Sequence, residues 1–118
     1  MDDNLVLSEI NEVESNARLD LANQVLPDNI IKGDVWPTGE DWFKFNLTEP
    51  GTIIAQMDIG TGTADLKLYG PDETEIISKR VSEVGMVHHT TSDLGEYYLL
   101  IGDGSVNRLD YELIFDII

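Results

Sequence analysis

The sequence has no cysteine and few basic residues, and both shortages exclude classes of function. Without cysteine there is no disulfide, no thiolate metal site and no cysteine nucleophile. Seven lysine and arginine residues stand against 23 acidic ones, which gives a formal net charge of −16. A surface this acidic repels phosphate backbones and anionic headgroups, so we expect neither nucleic-acid binding nor membrane binding. It attracts cations instead.

A long apolar run and a basic start are also missing. No stretch approaches the roughly 20 apolar residues that a membrane-spanning helix needs. The first ten residues lack the basic and apolar regions of a signal peptide, so we expect none there. What is present is 42% hydrophobic residues in a chain of 118, enough for the core of one domain.

The hydrophobic pattern changes near residue 27. Residues 1–26 are polar and acidic, and we predict that they form a linker segment with at most one short helix, which Pro27 ends. In residues 27–118 apolar side chains alternate with polar ones, and glycine and proline turn signals recur about every ten residues. This pattern predicts an all-β, antiparallel, jelly-roll-like sandwich of about eight strands, at 29–35, 41–47, 51–59, 64–70, 74–80, 84–90, 96–102 and 109–117.

A series of short motifs then occurs in the order typical of one bacterial family. They are EVESN (12–16), GDV (33–35), DWFKF (41–45), EPGT (49–52), ADLKLY (64–69), PD (71–72), GEYYLLI (95–101) and YEL (111–113). With them the chain resembles the bacterial pre-peptidase C-terminal domain from about residue 11 to its end. The resemblance implies a β-sandwich attached to an exported enzyme. We therefore predict a monomeric, non-catalytic, secreted module linked covalently to a catalytic domain, of which a peptidase is the first candidate.

The first motif carries a possible metal site. Glu12, Glu14 and Asn16 are spaced by two, so in an extended chain their oxygen-bearing side chains share one side. Such oxygens are the ligands that calcium prefers. Some members of this family belong to clostridial collagenases, and in these relatives the matching segment binds calcium together with residues of the next two motifs. The resemblance therefore adds Asp34 and Asp41 to the predicted calcium ligands. Asp34 takes the place of a hydroxyl ligand.

Two departures leave the number of ions open. Those relatives hold two adjacent calcium ions, and Ala17 and Thr38 stand where they have carboxylates, so the loss of two ligands favours one ion over a pair. With 23 acidic residues in the chain, acidic pairs spaced by two also arise by chance. Solvated surface charge is therefore the alternative interpretation of the same motif.

Aromatic residues suggest a second function. Alternation places Phe43 and Tyr97 inward, so we expect their neighbours Trp42 and Tyr98 to be exposed. Together with the apolar Leu100 they could form a platform that binds an extracellular polymer, either a polysaccharide or a fibrous protein. A polymer-binding module is therefore the alternative to a calcium-binding accessory domain.

Overall fold

The structure is a computed structural model that describes residues 8–11, 17–27, 29–35, 39–102 and 109–118. Within these ranges the chain forms eight strands and one short 3-10 helix at Leu19–Leu21. The strands are β1 (Ser8–Asn11), β2 (Asn23–Gln24), β3 (Asn29–Val35), β4 (Glu40–Leu47), β5 (Gly51–Tyr69), β6 (Glu75–Thr91), β7 (Gly95–Gly102) and β8 (Leu109–Ile117). None of the described residues belongs to a helix that is long and apolar enough to cross a bilayer.

The long strand β5 belongs to both layers of the fold, its first half to one layer and its second half to the other. One edge of this long strand pairs with β6, and the other pairs with β8 over residues 53–58 and with β7 over residues 65–69. The strand order is β1-β3-β8-β5-β7-β4-β2, with β6 beside β5. The β8 half and the β4 half meet across the core, where the rings of Phe45 and Phe115 have centroids 4.2 Å apart.

The structure confirms the predicted all-β fold and corrects its details. Strands β3 and β8 have the predicted bounds, whereas the four strands predicted between residues 51 and 90 are two long ones, because β5 and β6 continue through their bends. The sheet is also mixed, since β1 pairs in parallel with β3 and β2 in parallel with β4. Both short strands come from residues 1–26, so the described parts of that segment lie on the sandwich.

A sharp corner in β6 allows this strand to pair with β5 in both layers. Glu83 has a φ of 72°, and the pairing register with β5 jumps between Asp58 and Thr63. A Cβ atom added at Gly85 would lie 2.6 Å from Cγ2 of Val81, although residues four apart in a straight strand are about 13 Å apart. The bend therefore folds the chain back on itself, and Gly85 leaves room for the buried Val81 side chain.

Gly85→Ala should consequently destabilise the fold. The new methyl group would collide with a β-branched side chain that is held in the core, and overpacking of this kind costs about 1–3 kcal/mol. Urea denaturation followed by circular dichroism measures the loss. Adding Val81→Ala to Gly85→Ala restores the space, so the double variant should lose less stability than the two single changes added together. Strict additivity would show that the two side chains do not compete for one site.

Candidate functional site

Asp41 is a buried carboxylate at the start of β4. It shares the inward-facing side of this strand with Phe43 and Phe45, and its side chain is 4% exposed. Among the described residues it is the one charged side chain that is buried. The Tyr111 hydroxyl donates a hydrogen bond of 2.7 Å to Oδ2 of Asp41. Because Tyr111 lies on β8, this bond joins the two layers at one end of the core, and it fixes the orientation of the carboxylate.

Asp34 lies near the same end of the molecule but on the other layer. Its neighbour Val35 is buried, so alternation places the half-buried Asp34 on the outer side of β3, where it is paired in register with Asp110 of β8. The predicted ligands Asp34 and Asp41 therefore point to different sides of their strands. Within the described part of the chain, no three acidic or histidine side chains form a group suited to holding a metal ion.

The predicted ligands Glu12, Glu14 and Asn16 lie outside the described residues, but the chain on either side of them is described. Asn11, the last residue of β1, pairs in parallel with Lys32, two residues before Asp34 on β3. Asn23 pairs in parallel with Phe43, so the chain preceding it comes from the end of β4 that carries Asp41. The described strand before residues 12–16 thus ends two positions short of Asp34 in register, and the described strand after them begins two positions past Asp41.

The expectation that Trp42 and Tyr98 are exposed is wrong. Alternation does place them with Leu100 on the outer face of their layer, but they are only 8%, 8% and 5% exposed. They form a small second hydrophobic cluster with Ala22, against which Leu19 and Tyr69 also pack. The cover comes from residues 17–25, which we call the N-terminal strap. Its pairing with β4 brings apolar side chains over the aromatic rings.

The aromatic cluster also has an ordered polar rim. The Trp42 indole nitrogen donates to Glu40 Oε1 at 3.2 Å, and the Tyr98 hydroxyl donates to Glu96 Oε1 at 3.0 Å. The rings of Trp42 and Tyr69 have centroids 5.1 Å apart. Burial raises the pKa of Tyr98, and its hydrogen bond to Glu96 raises it further. Both rim bonds are local, between residues two apart, so they hold each ring in place under the strap.

An open cavity that the sequence did not predict lies beside the two ends of β6, where Ile76 and His89 line it. It has a volume of about 570 Å³ and lies between the turn after β5 and the turn after β6. Tyr97 lines it, and the Tyr97 hydroxyl donates a 2.6 Å hydrogen bond to the carbonyl oxygen of Asp93. Asp72 and Leu94 also line it. The two turn signals were visible in the sequence, but nothing in the sequence shows that the two turns lie side by side.

No family model matches the chain, and no curated protein matches its sequence. Solved structures do match. The pre-peptidase C-terminal domain of a collagenase from Bacillus anthracis superposes with a TM-score of 0.68 at 19% identity, covering 80% of this chain and 94% of that domain. A mitogen from Yersinia pseudotuberculosis gives a TM-score of 0.60 at 14% identity, with coverage of 75% and 84%. PliG from Aeromonas hydrophila, a periplasmic inhibitor of g-type lysozyme, gives 0.56 at 16% identity, with coverage of 94% and 100%. The resemblance to pre-peptidase C-terminal domains inferred from the sequence is therefore confirmed as a shared fold.

Proposed function

We propose that this chain is a non-catalytic, calcium-binding accessory module of a larger exported bacterial enzyme, with a peptidase as the first candidate. Its task would be to stabilise or position the catalytic domain to which it is linked. The observation that carries the proposal is the buried carboxylate of Asp41, which lies two residues before the point where β2 begins to pair with β4. The fold shared with the collagenase domain supports the accessory role.

The chemistry of Asp41 suits a metal ligand. A carboxylate that leaves water on folding needs compensating partners, and a cation together with a fixed hydrogen-bond donor provides them. The Tyr111 hydroxyl donates to Oδ2 and fixes the orientation of the carboxylate. In many metal sites a residue that is not itself a ligand orients a ligand in this way. Calcium takes six to eight oxygen ligands, and the predicted ligands Glu12, Glu14 and Asn16 would supply three more.

The contribution of Asp34 should be smaller. Its side chain lies on the outer side of β3, whereas that of Asp41 points inward from β4. Without a cation the acidic side chains at this end repel one another, and an ion would draw the segment that carries Glu12 and Glu14 onto the sandwich. Because the unfolded chain has no such preformed set of ligands, binding would add directly to folding stability.

Calcium should therefore raise the melting temperature by several degrees relative to the protein in EDTA. An ion present at about ten times its dissociation constant adds about 1.4 kcal/mol, and a shift of several degrees follows for a domain of this size. Glu14→Ala and Asp41→Asn should abolish the rise, and Asp34→Asn should reduce it. Thermal melts by circular dichroism measure each shift.

The matched control is Glu49→Ala, which removes an exposed acidic side chain in the turn after β4. It lowers the acidic charge by the same amount and should keep the full response to calcium. Superimposable melts of the unchanged protein in calcium and in EDTA would remove the ion from the proposal. An equal loss of response in Glu49→Ala would show that calcium acts through general charge screening.

Polymer binding through Trp42, Tyr98 and Leu100 stays a prediction. The N-terminal strap covers these side chains in the described structure, so a polysaccharide or a fibrous protein would reach them only after the strap leaves. No described contact favours that function over the accessory role, and the accessory role is the one we propose.

A further inference from the structure

The outer edge of β6 is a long strand edge that pairs with no described strand. β6 runs over Glu75–Thr91 and pairs with β5 alone among the described strands. The strands at the two ends of the sheet order, β1 and β2, have four and two residues. An edge strand presents a row of backbone donors and acceptors, and folded proteins usually protect it by shortness, charge or bends.

The corner at Glu83 divides this edge into two unlike halves. Residues 75–81 carry Lys79 and Arg80, and Arg80 forms an ion pair of 3.2 Å with Asp65. Residues 84–91 contain no lysine, arginine, aspartate or glutamate. On this second half Val84 and Met86 are 54% and 47% exposed. The second half thus combines β-branched and apolar side chains with an uncharged edge, and it lacks the usual protection.

We propose that residues 84–91 of β6 pair edge to edge with the same residues of a second copy of the chain. The charge pattern favours a second copy of the chain as the partner. The chain carries a net charge of −16, so a cationic partner would be drawn to almost any other part of the surface, whereas this segment offers no charge to attract one. Two copies of it can meet without placing like charges opposite each other. The proposal departs from the monomer that the sequence suggested.

The segment suits an antiparallel pairing about a two-fold axis at Val87. Val84, Met86, His88 and Thr90 lie on the side of β6 that faces away from the core, because Val87 and Gly85 face inward. With the axis at Val87, Met86 of one copy lies opposite His88 of the other, and Val84 lies opposite Thr90. The exposed apolar side chains are then covered across the pair, and the two inner faces form one continuous surface.

Salt should strengthen the pairing. Two copies that each carry a net charge of −16 repel one another at long range, and the screening length falls to about 10 Å at about 0.1 M ionic strength. The strand contact itself contains no ion pair that salt would weaken. An edge contact between uncharged segments therefore differs from a charge-driven complex in the sign of its salt dependence.

Sedimentation equilibrium of the whole chain, from micromolar to near-millimolar concentration, tests the proposal. We expect a monomer–dimer equilibrium that shifts toward dimer as salt is added. Met86→Lys should raise the dissociation constant about tenfold or more, since it places a strongly hydrated charge on the edge. Ser78→Lys makes the same change of charge at an exposed position of the protected half and should leave association unchanged. A monomer at every concentration and salt level overturns the proposal, and so does an equal effect of the two variants.

Disulfide trapping tests the register independently of affinity. The chain has no cysteine, so oxidation of a Met86→Cys/His88→Cys mixture reports a single contact. Residues opposite each other in an antiparallel pair have the Cα separation that a disulfide requires. The mixed dimer should form faster than a dimer from Leu94→Cys mixed with His88→Cys, because Leu94 is 52% exposed but lies off the edge. Equal rates in the two mixtures would show that the proposed interface is wrong.

Discussion

Phe45→Ala is expected to lower the free energy of unfolding by about 3–5 kcal/mol. Phe45 is 1% exposed and lies at the centre of the core, between the two layers. Its ring has a centroid 4.2 Å from that of Phe115 on β8, and it stacks on Tyr97 with centroids 5.9 Å apart. Truncation to a methyl group removes both ring contacts and leaves a cavity. The strands around it are held by backbone hydrogen bonds and cannot move together to close it.

A loss of that size is a large part of the stability of a single domain, which is typically about 5–15 kcal/mol. Urea denaturation followed by circular dichroism and tryptophan fluorescence gives the value, and coincident transitions establish that unfolding is two-state. Phe45→Leu should cost clearly less, because most of the apolar volume stays. The exposed neighbour provides the matched control, and Asn46→Ala should change stability by less than about 0.5 kcal/mol. A loss below about 1 kcal/mol for Phe45→Ala would mean that the two layers do not meet at this ring.

The strands of the core could be predicted from the sequence because their signal is local. Phe43, Phe45 and Leu47 alternate with polar residues, and all three are buried as predicted. The period-two pattern needs no knowledge of the partner strand, since one face of a strand must be apolar wherever a core forms. The bends of β5 and β6 were missed for the same reason. A turn signal at residues 60–62 indicates a change of direction but does not show that pairing resumes beyond it.

The role of the N-terminal segment could not be predicted from side-chain patterns. β1 and β2 attach through backbone hydrogen bonds in a polar stretch, and two to four residues are too few to show a period. The error over Trp42 and Tyr98 follows directly. Alternation correctly placed both side chains on the outer side of the sheet. Whether they are exposed there depends on Leu19 and Ala22, about twenty positions before Trp42 in the chain.

The calcium site itself stays a prediction from the family resemblance. The resemblance selected Asp41, and the structure adds that this carboxylate is buried and bonded to Tyr111, 70 residues away in sequence. A pairing over that separation has no local signal. The opposite orientations of Asp34 and Asp41 also became visible only when β3 and β4 were placed in different layers.

Trp42→Ala is expected to release the N-terminal strap before the sandwich unfolds. The strap is held by two paired residues of β2, by a 2.9 Å hydrogen bond from the Val25 amide to the Lys44 carbonyl oxygen, and by the cluster around Trp42. Removing the indole ring takes away the largest side chain of that small cluster. Replacing a buried Trp by Ala costs about 3–5 kcal/mol in a well-packed site. Here the loss falls on Leu19 and Ala22 of the strap, which pack on the aromatic cluster, while Val25 at the end of the strap stays buried in the main core and keeps that end attached.

Trypsin offers a direct measurement, because Arg18 lies within the strap and its side chain is 69% exposed. Cleavage after Arg18 requires the local backbone to leave its bound conformation, so its rate follows the local opening equilibrium. Trp42→Ala should accelerate this cleavage about tenfold or more, while Tyr98→Phe, which loses only the hydroxyl bond to Glu96, should change it little.

Phe45→Ala distinguishes local opening of the strap from global unfolding. It destabilises the main core but leaves the contacts of Leu19 and Ala22 with the aromatic cluster in place, so it should speed cleavage after Arg18 less than Trp42→Ala does. Equal acceleration in the two variants would mean that the strap opens only when the whole domain unfolds, and polymer binding through the aromatic cluster would then require an unfolded protein.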